Sequence, residues 1–344
     1  MSGSTTPVIA IDAMGGDIGL DTTLVAVARA QNQYNDVRFI LVGDESAIKT
    51  HKSYSLLNPE RFQLHHAEQV VAMDEKPSTV LRHKRQSSLW KALELVRDGQ
   101  AQACVSAGNT GALMACAWAC IKTIGGISRP AICATVPSQH GHTHWLDLGA
   151  NVDSDAEQLL QFALMGSELA KAVDGNAQPR VGLLNIGEED IKGNAVVKKA
   201  AKLLEESPLN YVGFVEGNDI FLKENLDVVV CDGFVGNVGL KTSEGVAKFI
   251  QNGLKSAFQH NLYSKIIGLL AYPILKRFKA QMDPRSYNGA TLLGLQGIVV
   301  KSHGNADDLS FANAINIARL EIAHNVIPAI QAQLEQYQPR AEQP

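Results

Sequence analysis

An α/β fold built on a mostly parallel sheet is what this 344-residue sequence predicts, and three observations carry that prediction. Short β-branched runs alternate with amphipathic helical periods along the whole chain. Run after run closes in Asp or Asn, small residues and glycine, the punctuation of a strand that turns into a helix. A hydrophobic share of 45% against 19% charged residues supplies the apolar surface for one large domain or two intertwined lobes.

In chain order, Val8-Ile9-Ala10-Ile11 is a strand, 22–30 an amphipathic helix and 38–42 a second apolar strand. A strand over 62–66 and a helix over 88–96 follow. Ala103-Cys104-Val105 is a strand that opens through Ser106-Ala107-Gly108-Asn109-Thr110-Gly111-Ala112 into a helical pattern from Leu113 to Trp118. Strands over 132–136 and 145–148 precede a long helix over 156–173. Next come a strand over 181–186, a helix over 195–206, and strands over 211–215 and 228–231. Residues 241–281 read as a helical hairpin rather than part of the sheet, and a strand over 297–301 with a helix over 311–337 closes the chain. The implied organisation is a catalytic core over 1–240, an amphipathic hairpin over 241–281, and a return to the core with a C-terminal helix over 282–344. No internal repeat or long linker interrupts it.

Composition excludes several classes. A formal net charge of −4 gives no overall pull towards nucleic acid, so an anionic partner must be met by a local basic patch. Cys104, Cys116, Cys120, Cys133 and Cys231 form no CxxC pair and no disulfide-like framework, which fits a reducing cytoplasm. The N-terminus lacks a basic segment followed by a long apolar core, and no apolar run reaches the roughly 18 to 20 residues of a membrane span. The expectation is a cytoplasmic chain, neither secreted nor membrane-spanning.

The strand ends carry the chemistry. Ser106 to Gly111 joins a strand to a helix, so its glycines let the backbone approach closely and its first-turn amides and helix dipole favour an anion, with phosphate the expected guest. Similar ends recur at Asp12-Ala13-Met14-Gly15-Gly16-Asp17, Asp147-Leu148-Gly149-Ala150-Asn151, Asn185-Ile186-Gly187-Glu188, Asp232-Gly233-Phe234-Val235-Gly236-Asn237 and Ser302-His303-Gly304. In open α/β sheets the ligand crevice lies beyond the carboxyl ends of the strands, so these termini predict one shared site.

Other motifs are weaker. Gly236-Asn237-Val238-Gly239-Leu240-Lys241-Thr242 lacks the adjacent Gly-Lys-Ser/Thr of a nucleotide loop, no G-x-G-x-x-G follows a strand, and Ser106 lacks the G-x-S-x-G elbow. His140, His142 and His144 alternate, so an extended segment would put three imidazoles on one face, where zinc can bind. No carboxylate or cysteine completes a set nearby in sequence, and no metal is expected. His303, after a strand, is a better site candidate. Lys192, flanked by Glu188, Glu189 and Asp190, follows a strand and precedes a helix, so its ammonium can reach the crevice. Arg82-His83-Lys84-Arg85 is a solvated helix face unless a phosphate or an acidic partner meets it.

The hairpin has its own logic. Val246, Phe249, Ile250, Leu254, Ala257 and Phe258 share one face of the first arm, and the second arm carries Ile266, Ile267, Leu269, Leu270, Ile274, Leu275 and Phe278 around Pro273. Lys241, Lys248, Lys255, Lys265, Lys276, Arg277 and Lys279 face only Glu244 as an acidic counterpart. Two readings stand: a helix pair at a dimer interface, or a tip with Ile267, Leu270 and Ile274 dipping into an anionic bilayer surface.

Taken together, Ile11 to Asp17, Cys104 to Met114, Leu146 to Asp153, Leu184 to Glu189, Asp232 to Val238, and Tyr287-Asn288-Gly289-Ala290 with Lys301-Ser302-His303-Gly304 resemble the bacterial phosphate acyltransferase family from about Val8 to about Val326. The resemblance implies transfer of a fatty acyl group from acyl carrier protein to inorganic phosphate, giving acyl phosphate for phospholipid synthesis. It further implies a homodimer, a fold similar to the isopropylmalate dehydrogenase and phosphotransacetylase group, and a peripheral association with the membrane or with the membrane acyltransferase that uses acyl phosphate. Gly239 departs from the family, whose members often carry Thr there, and the His140 to His144 loop is peculiar to this chain.

The residues suit that chemistry. Phosphate is already an anionic nucleophile and the leaving thiol, with a pKa of roughly 8.5, departs as a tolerable thiolate. The site must supply a phosphate cradle, a near-attack geometry and donors for the acyl oxyanion, with no metal or redox cofactor. The catalytic candidates are Lys192, which can neutralise phosphate or oxyanion, Asn237, whose amide can orient the thioester carbonyl, and His303. Asp12, Gly15, Gly16, Ser106, Gly108, Asn109, Thr110, Gly111, Asn151, Asn185 and Asp232 are the binding candidates, and Arg82, Lys84 and Arg85 the carrier-protein docking candidates. A phosphate acetyl- or butyryltransferase working on coenzyme A thioesters, and a membrane-surface scaffold for lipid enzymes, are the alternatives.

Overall fold

Residues 6–281 and 288–337 are described by the computed structural model. Its strands are β1 (Val8–Asp12), β2 (Arg38–Gly43), β3 (Phe62–His66), β4 (Ala103–Ser106), β5 (Ala131–Ser138), β6 (Gly141–Leu146), β7 (Arg180–Leu184), β8 (Asn210–Val215), β9 (Val228–Val230), β10 (Ala290–Leu293) and β11 (Ile298–Lys301). They join in one 11-stranded sheet, ordered β3-β2-β1-β4-β11-β10-β5-β6-β9-β7-β8. Strands β3, β2, β1, β4 and β11 pair in parallel as one block, and β6, β9, β7 and β8 as a second. Because β10 is antiparallel to both neighbours and β5 is antiparallel to β6, the two blocks run in opposite directions.

Helices α1 (Leu20–Gln33), α2 (Glu45–Thr50), α3 (Pro77–His83), α4 (Ser88–Arg97), α5 (Thr110–Ile121), α6 (Ala156–Asp174), α7 (Ala195–Glu205), α8 (Asp219–Leu222), α9 (Gly233–Gln259), α10 (Leu262–Gln281), α11 (Asp308–Ala323) and α12 (Val326–Gln336) complete the chain. The two-residue period of the strands decides the layers. Ile9, Ile11, Val105 and Val300 point to one face and pack with α1 and α11. Their neighbours Ala10, Cys104 and Val299 point to the other, against α4 and α5. In the second block Leu146, Val228, Val230 and Leu183 pack with α6 and α12, while Trp145 and Val229 share the α4–α5 side. Buried on both faces, these strands read as continuous apolar runs.

The polar punctuation caps helices. Asn109, Asn194 and Asp232 each accept a hydrogen bond from the backbone amide three residues on, at 2.9, 2.9 and 3.0 Å, and so start α5, α7 and α9 directly beyond the sheet.

Four expectations need correction. Strand β10 was not foreseen, because a four-residue run beside glycine carries too little periodicity to stand out. The helix expected over 311–337 is two helices, broken where Asn325 turns left-handed at φ 53°. The strand expected at 145–148 begins at Gly141, so His142 and His144 belong to β6. The first hairpin arm begins at Gly233 rather than 241, which puts Asn237 on a helix instead of a loop.

On α9 and α10 the apolar residues lie open in the single chain: Phe249, Leu270 and Ile274 are 77%, 75% and 73% exposed, and Ile267 is less so. No helix among the described residues is long and apolar enough to cross a membrane. Tyr287, the segments 282–287 and 338–344, and the Lys279 side chain lie outside the described residues.

Candidate active site

Three loops converge beyond β1, β4 and β11. Asp12 ends β1 with 1% of its surface exposed, and Ser106 and Ser302 close β4 and β11 fully buried. The Ser106 hydroxyl donates to Asp12 Oδ2 at 2.6 Å and accepts from the Gly108 amide at 3.0 Å. Asp12 Oδ1 is buried without a hydrogen-bond partner of its own among the described residues. Burial pushes the Asp12 carboxyl up from its ordinary value, against the opposing pull of Ser106, Ser88 and the Met14 and Gly15 amides.

Glycine lets these loops touch. A Cβ on Gly15 would lie 2.9 Å from the Gly108 amide nitrogen, and Gly16, at φ +94°, has no room between Ala107 and the Gly304 carbonyl. The Asp17 amide seals the contact by donating to Gly304 O at 2.8 Å. Thr110 and Gly111 open α5, so their amides point out of its N-terminus. Asn109 is occupied twice over: its side chain caps α5, and its Nδ2 donates to Met73 O and Glu75 O at 2.7 and 3.0 Å. It positions the cradle and has no donor left for a ligand.

Under this cradle lies Lys301, which the strand pattern concealed. Its ammonium is buried and donates to Ala107 O at 3.3 Å and to Ser302 O. Burial pushes it down to about 8, with Asp12 and Asp17 supporting its charge and Lys241 opposing it. A lysine at the end of an apolar strand gives no sequence sign of where its ammonium goes. His303 stands next to it, held in place as Asn288 Oδ1 accepts from the His303 amide at 3.2 Å. Partial burial, then the Lys301 and Lys241 charges, hold its imidazole below the ordinary value.

The second block presents a different set of ends. Asp147 is fully buried and accepts from the Ile132, Gly149, Ala150 and Asn151 amides and from Asn151 Nδ2, at 2.8 to 3.2 Å. Asn151 also donates to Pro130 O at 2.9 Å, so its side chain fastens the loop rather than facing a ligand. Asp232 caps α9. Gly233, Gly236 and Gly239 form one stripe on that helix, where a Cβ would meet Asn151 O, Asp147 O and the Trp145 ring at 2.3, 1.9 and 2.7 Å. The glycine-rich stretch is therefore a helix face pressed onto the Asp147 loop. Asn237 lies beside the stripe, exposed, with Nδ2 donating to Leu148 O at 3.1 Å.

Beside these ends opens a cavity of about 580 Å³, lined by Trp145, Leu184, Ile186, Phe221, Phe234 and Val238. Asn185 borders it, and its buried Nδ2 has no partner among the described residues. Lys192 is exposed on the loop before α7, with no ion pair among the described residues.

Helix α9 connects the two sets. Lys241 follows Asn237 by one turn, on the same face, and both Lys241 and Glu244 act electrostatically on His303. The ends of oppositely directed blocks thus meet along a single helix. The docking candidates separate: Arg82 is exposed, Arg85 stacks over Trp90 at 5.3 Å, and Lys84 donates to Val70 O at 3.1 Å beside Glu75, which holds the local loop. All five cysteines are buried free thiols, and burial pushes the Cys116 thiol up to about 12, so none is poised as a thiolate nucleophile.

Residues 8–328 match the family model described as "Fatty acid synthesis protein". The chain is 62% identical over 332 residues to the phosphate acyltransferase of Dichelobacter nodosus, covering 96% of each protein. It is 56% identical to that of Hydrogenovibrio crunogenus, covering 92% of this chain and 94% of the relative. A phosphotransacetylase from Streptococcus pyogenes superposes with a TM-score of 0.61 at 16% identity, covering 94% of each chain, a likeness of fold alone.

Proposed function

Since this chain belongs to the family of fatty acid synthesis proteins whose members are phosphate acyltransferases, and is itself an acyltransferase, we propose that it moves a fatty acyl group from acyl carrier protein to inorganic phosphate and releases acyl phosphate for phospholipid synthesis. The observation that carries this reading is the three-loop cradle: close-packed glycine backbone, the α5 N-terminus and a buried ammonium brought together at the carboxyl ends of β1, β4 and β11, groups that favour a small anion. A phosphate oxygen held there attacks the thioester carbonyl carbon, the C–O bond forms, and charge gathers on the carbonyl oxygen. The C–S bond then breaks, and the thiolate leaves to take a proton.

Asn237 and Lys192 lie on the second block, on the side from which the thioester would enter. In this reading the Asn237 amide orients the carbonyl, Lys192 neutralises the oxyanion, His303 borders the phosphate, and the apolar cavity takes the acyl chain. Asp12, Gly15, Gly16, Ser106, Gly108, Thr110 and Gly111 build the phosphate side, while Asn185 and Asp232 border the acyl side. Arg82 and Arg85 are the cations offered to an acidic carrier protein. The open apolar faces of α9 and α10 fit a homodimer whose hairpin tip, with Ile267, Leu270 and Ile274, rests on the membrane surface of a cytoplasmic enzyme.

Incubation with acyl carrier protein thioester, with and without phosphate, and mass spectrometry of the products tests the proposal. Phosphate-dependent acyl phosphate is the expected result. Turnover of coenzyme A thioesters alone would move the donor to coenzyme A, and phosphate-independent behaviour would refute the reaction.

A further inference from the structure

Away from the cradle, the β5–β6 hairpin carries a side-chain cluster that acyl transfer does not use. His142 and His144 stand two residues apart on one face of β6, and Asp174, the last residue of α6, brings a carboxylate between them. Nε2 of His142 lies 3.0 Å from Asp174 Oδ1, and Nε2 of His144 lies 2.8 Å from Oδ2. The rings meet edge to face with centroids 5.3 Å apart, and the donor atoms of all three residues lie within 4.8 Å of one another. Asp174 is the carboxylate absent from the local sequence, supplied by an element 30 residues further on.

A second observation orients the pair. His144 is buried, and its other nitrogen, Nδ1, lies 3.2 Å from the Thr135 hydroxyl on the neighbouring strand. An outer hydrogen bond on the far imidazole nitrogen is the arrangement that fixes a metal-binding tautomer. The two Asp174 oxygens already face the two imidazole nitrogens, one each, so a single ion can be shared by all three side chains. Asp227, paired with Arg180 at 2.8 Å, adds negative potential on His142.

We propose that His142, His144 and Asp174 bind a divalent transition-metal ion, zinc by the character of the donors, and thereby clamp the β5–β6 hairpin to the end of α6. Two imidazole nitrogens and a carboxylate oxygen are a borderline-soft set, and the solvent-facing side by His142 leaves a position for water. Binding replaces the histidine–aspartate hydrogen bonds. Each imidazole binds through Nε2 as the neutral tautomer protonated at Nδ1: the Nε2 proton of His144 moves to Nδ1, which then donates to the Thr135 hydroxyl, and the Nε2 proton of His142 passes by way of solvent to its own Nδ1.

Tag-free full-length protein, stripped with chelator, would be titrated with Zn²⁺ against a chromophoric chelator, with thermal melting alongside. Saturable uptake of about one equivalent, with a rise in melting temperature, is expected. His142→Ala and Asp174→Asn each weaken binding at least about tenfold, Thr135→Val by roughly tenfold, and basal acyl transfer by His142→Ala is unchanged. Should Asp174→Asn fail to fold, His142→Ala, at the solvent end of β6, decides alone. Zinc uptake equal in wild type and His142→Ala, or no saturable uptake and no thermal shift in wild type, overturns the site.

Discussion

The carboxyl ends of the two strand blocks meet at one helix, yet they are built differently, and the proposed reaction gives each its own guest. Around β1, β4 and β11 everything is short, buried and mutually braced: Ser106 on Asp12, Gly15 against Gly108, Lys301 beneath them. Around β6, β7 and β9 the ends surround an apolar cavity of about 580 Å³ bordered by a buried amide, Asn185 Nδ2, that has no partner among the described residues. A phosphate ion has one size and a fixed tetrahedral shape, so in the proposed role a rigid cradle loses nothing by fitting it closely. For a long, featureless acyl chain, the proposed guest of the second block, an open apolar surface is the matching one. Helix α9 holds the two in register, because its glycine stripe locks onto the Asp147 loop while Lys241 reaches the first block.

The largest effect that could break this division is at the junction. Asn237→Ala and Lys192→Ala should each lower turnover by two or more orders of magnitude in a folded protein, about 3 to 4 kcal/mol for one preorganised donor or charge. Near-normal steady-state rates for either variant would remove that residue from the reacting centre.

A smaller, more selective effect separates the blocks. Val238→Trp projects into the cavity and should raise KM for long-chain thioesters about tenfold, with KM for phosphate unmoved. If both constants rose together, the cavity would not be a separate acyl subsite.

The pH dependence sharpens the phosphate side. Lys301 is pushed down to about 8, so its ammonium is charged below that pH and neutral above it. KM for phosphate should therefore climb as pH rises through about 8, and Lys301→Arg should move the climb to higher pH. Stability carries the opposite sign. The unfolded chain binds the extra proton between about 8 and 10.5, so this lysine costs stability below about 8 and stops doing so as pH rises across that window. Flat phosphate KM values from pH 7 to 9 would show that Lys301 does not serve the cradle.

The smallest effect on catalysis belongs to the arm. Leu270→Glu with Ile274→Glu should abolish flotation with anionic vesicles while soluble turnover persists. Loss of the dimer in the same variant would assign those side chains to the subunit interface instead.

The division between legible and hidden follows the range of the forces involved. Alternating apolar runs and strand-end caps such as Asn109 and Asp232 are local signals, and the sheet, its helices and the cradle loops follow from them. What escaped was set by contacts distant in sequence. The antiparallel β10, which joins β11 to β5, is a four-residue run whose pairing partners decide its state. Asn237 lies in a stretch that reads as a loop because glycines repeat there, but their spacing of three is a helix face under a tight neighbour. Asn109 and Asn151 look like ligand contacts in sequence, and only the fold shows their amides already bound to Met73, Glu75, Pro130 and Asp147. Lys301 and the Asp174 partner of His142 and His144 carry no local mark at all.

The central claim is that the β1–β4–β11 cradle is a phosphate site in its own right. Titration of the thioester-free protein with inorganic phosphate, by calorimetry or phosphorus NMR, tests it most directly. The expected result is saturable binding that Gly16→Val and Lys301→Met weaken at least about tenfold and Val238→Trp leaves intact, since only the first two disturb the cradle. No saturable binding, or binding lost with Val238→Trp and kept with Gly16→Val, would contradict the account.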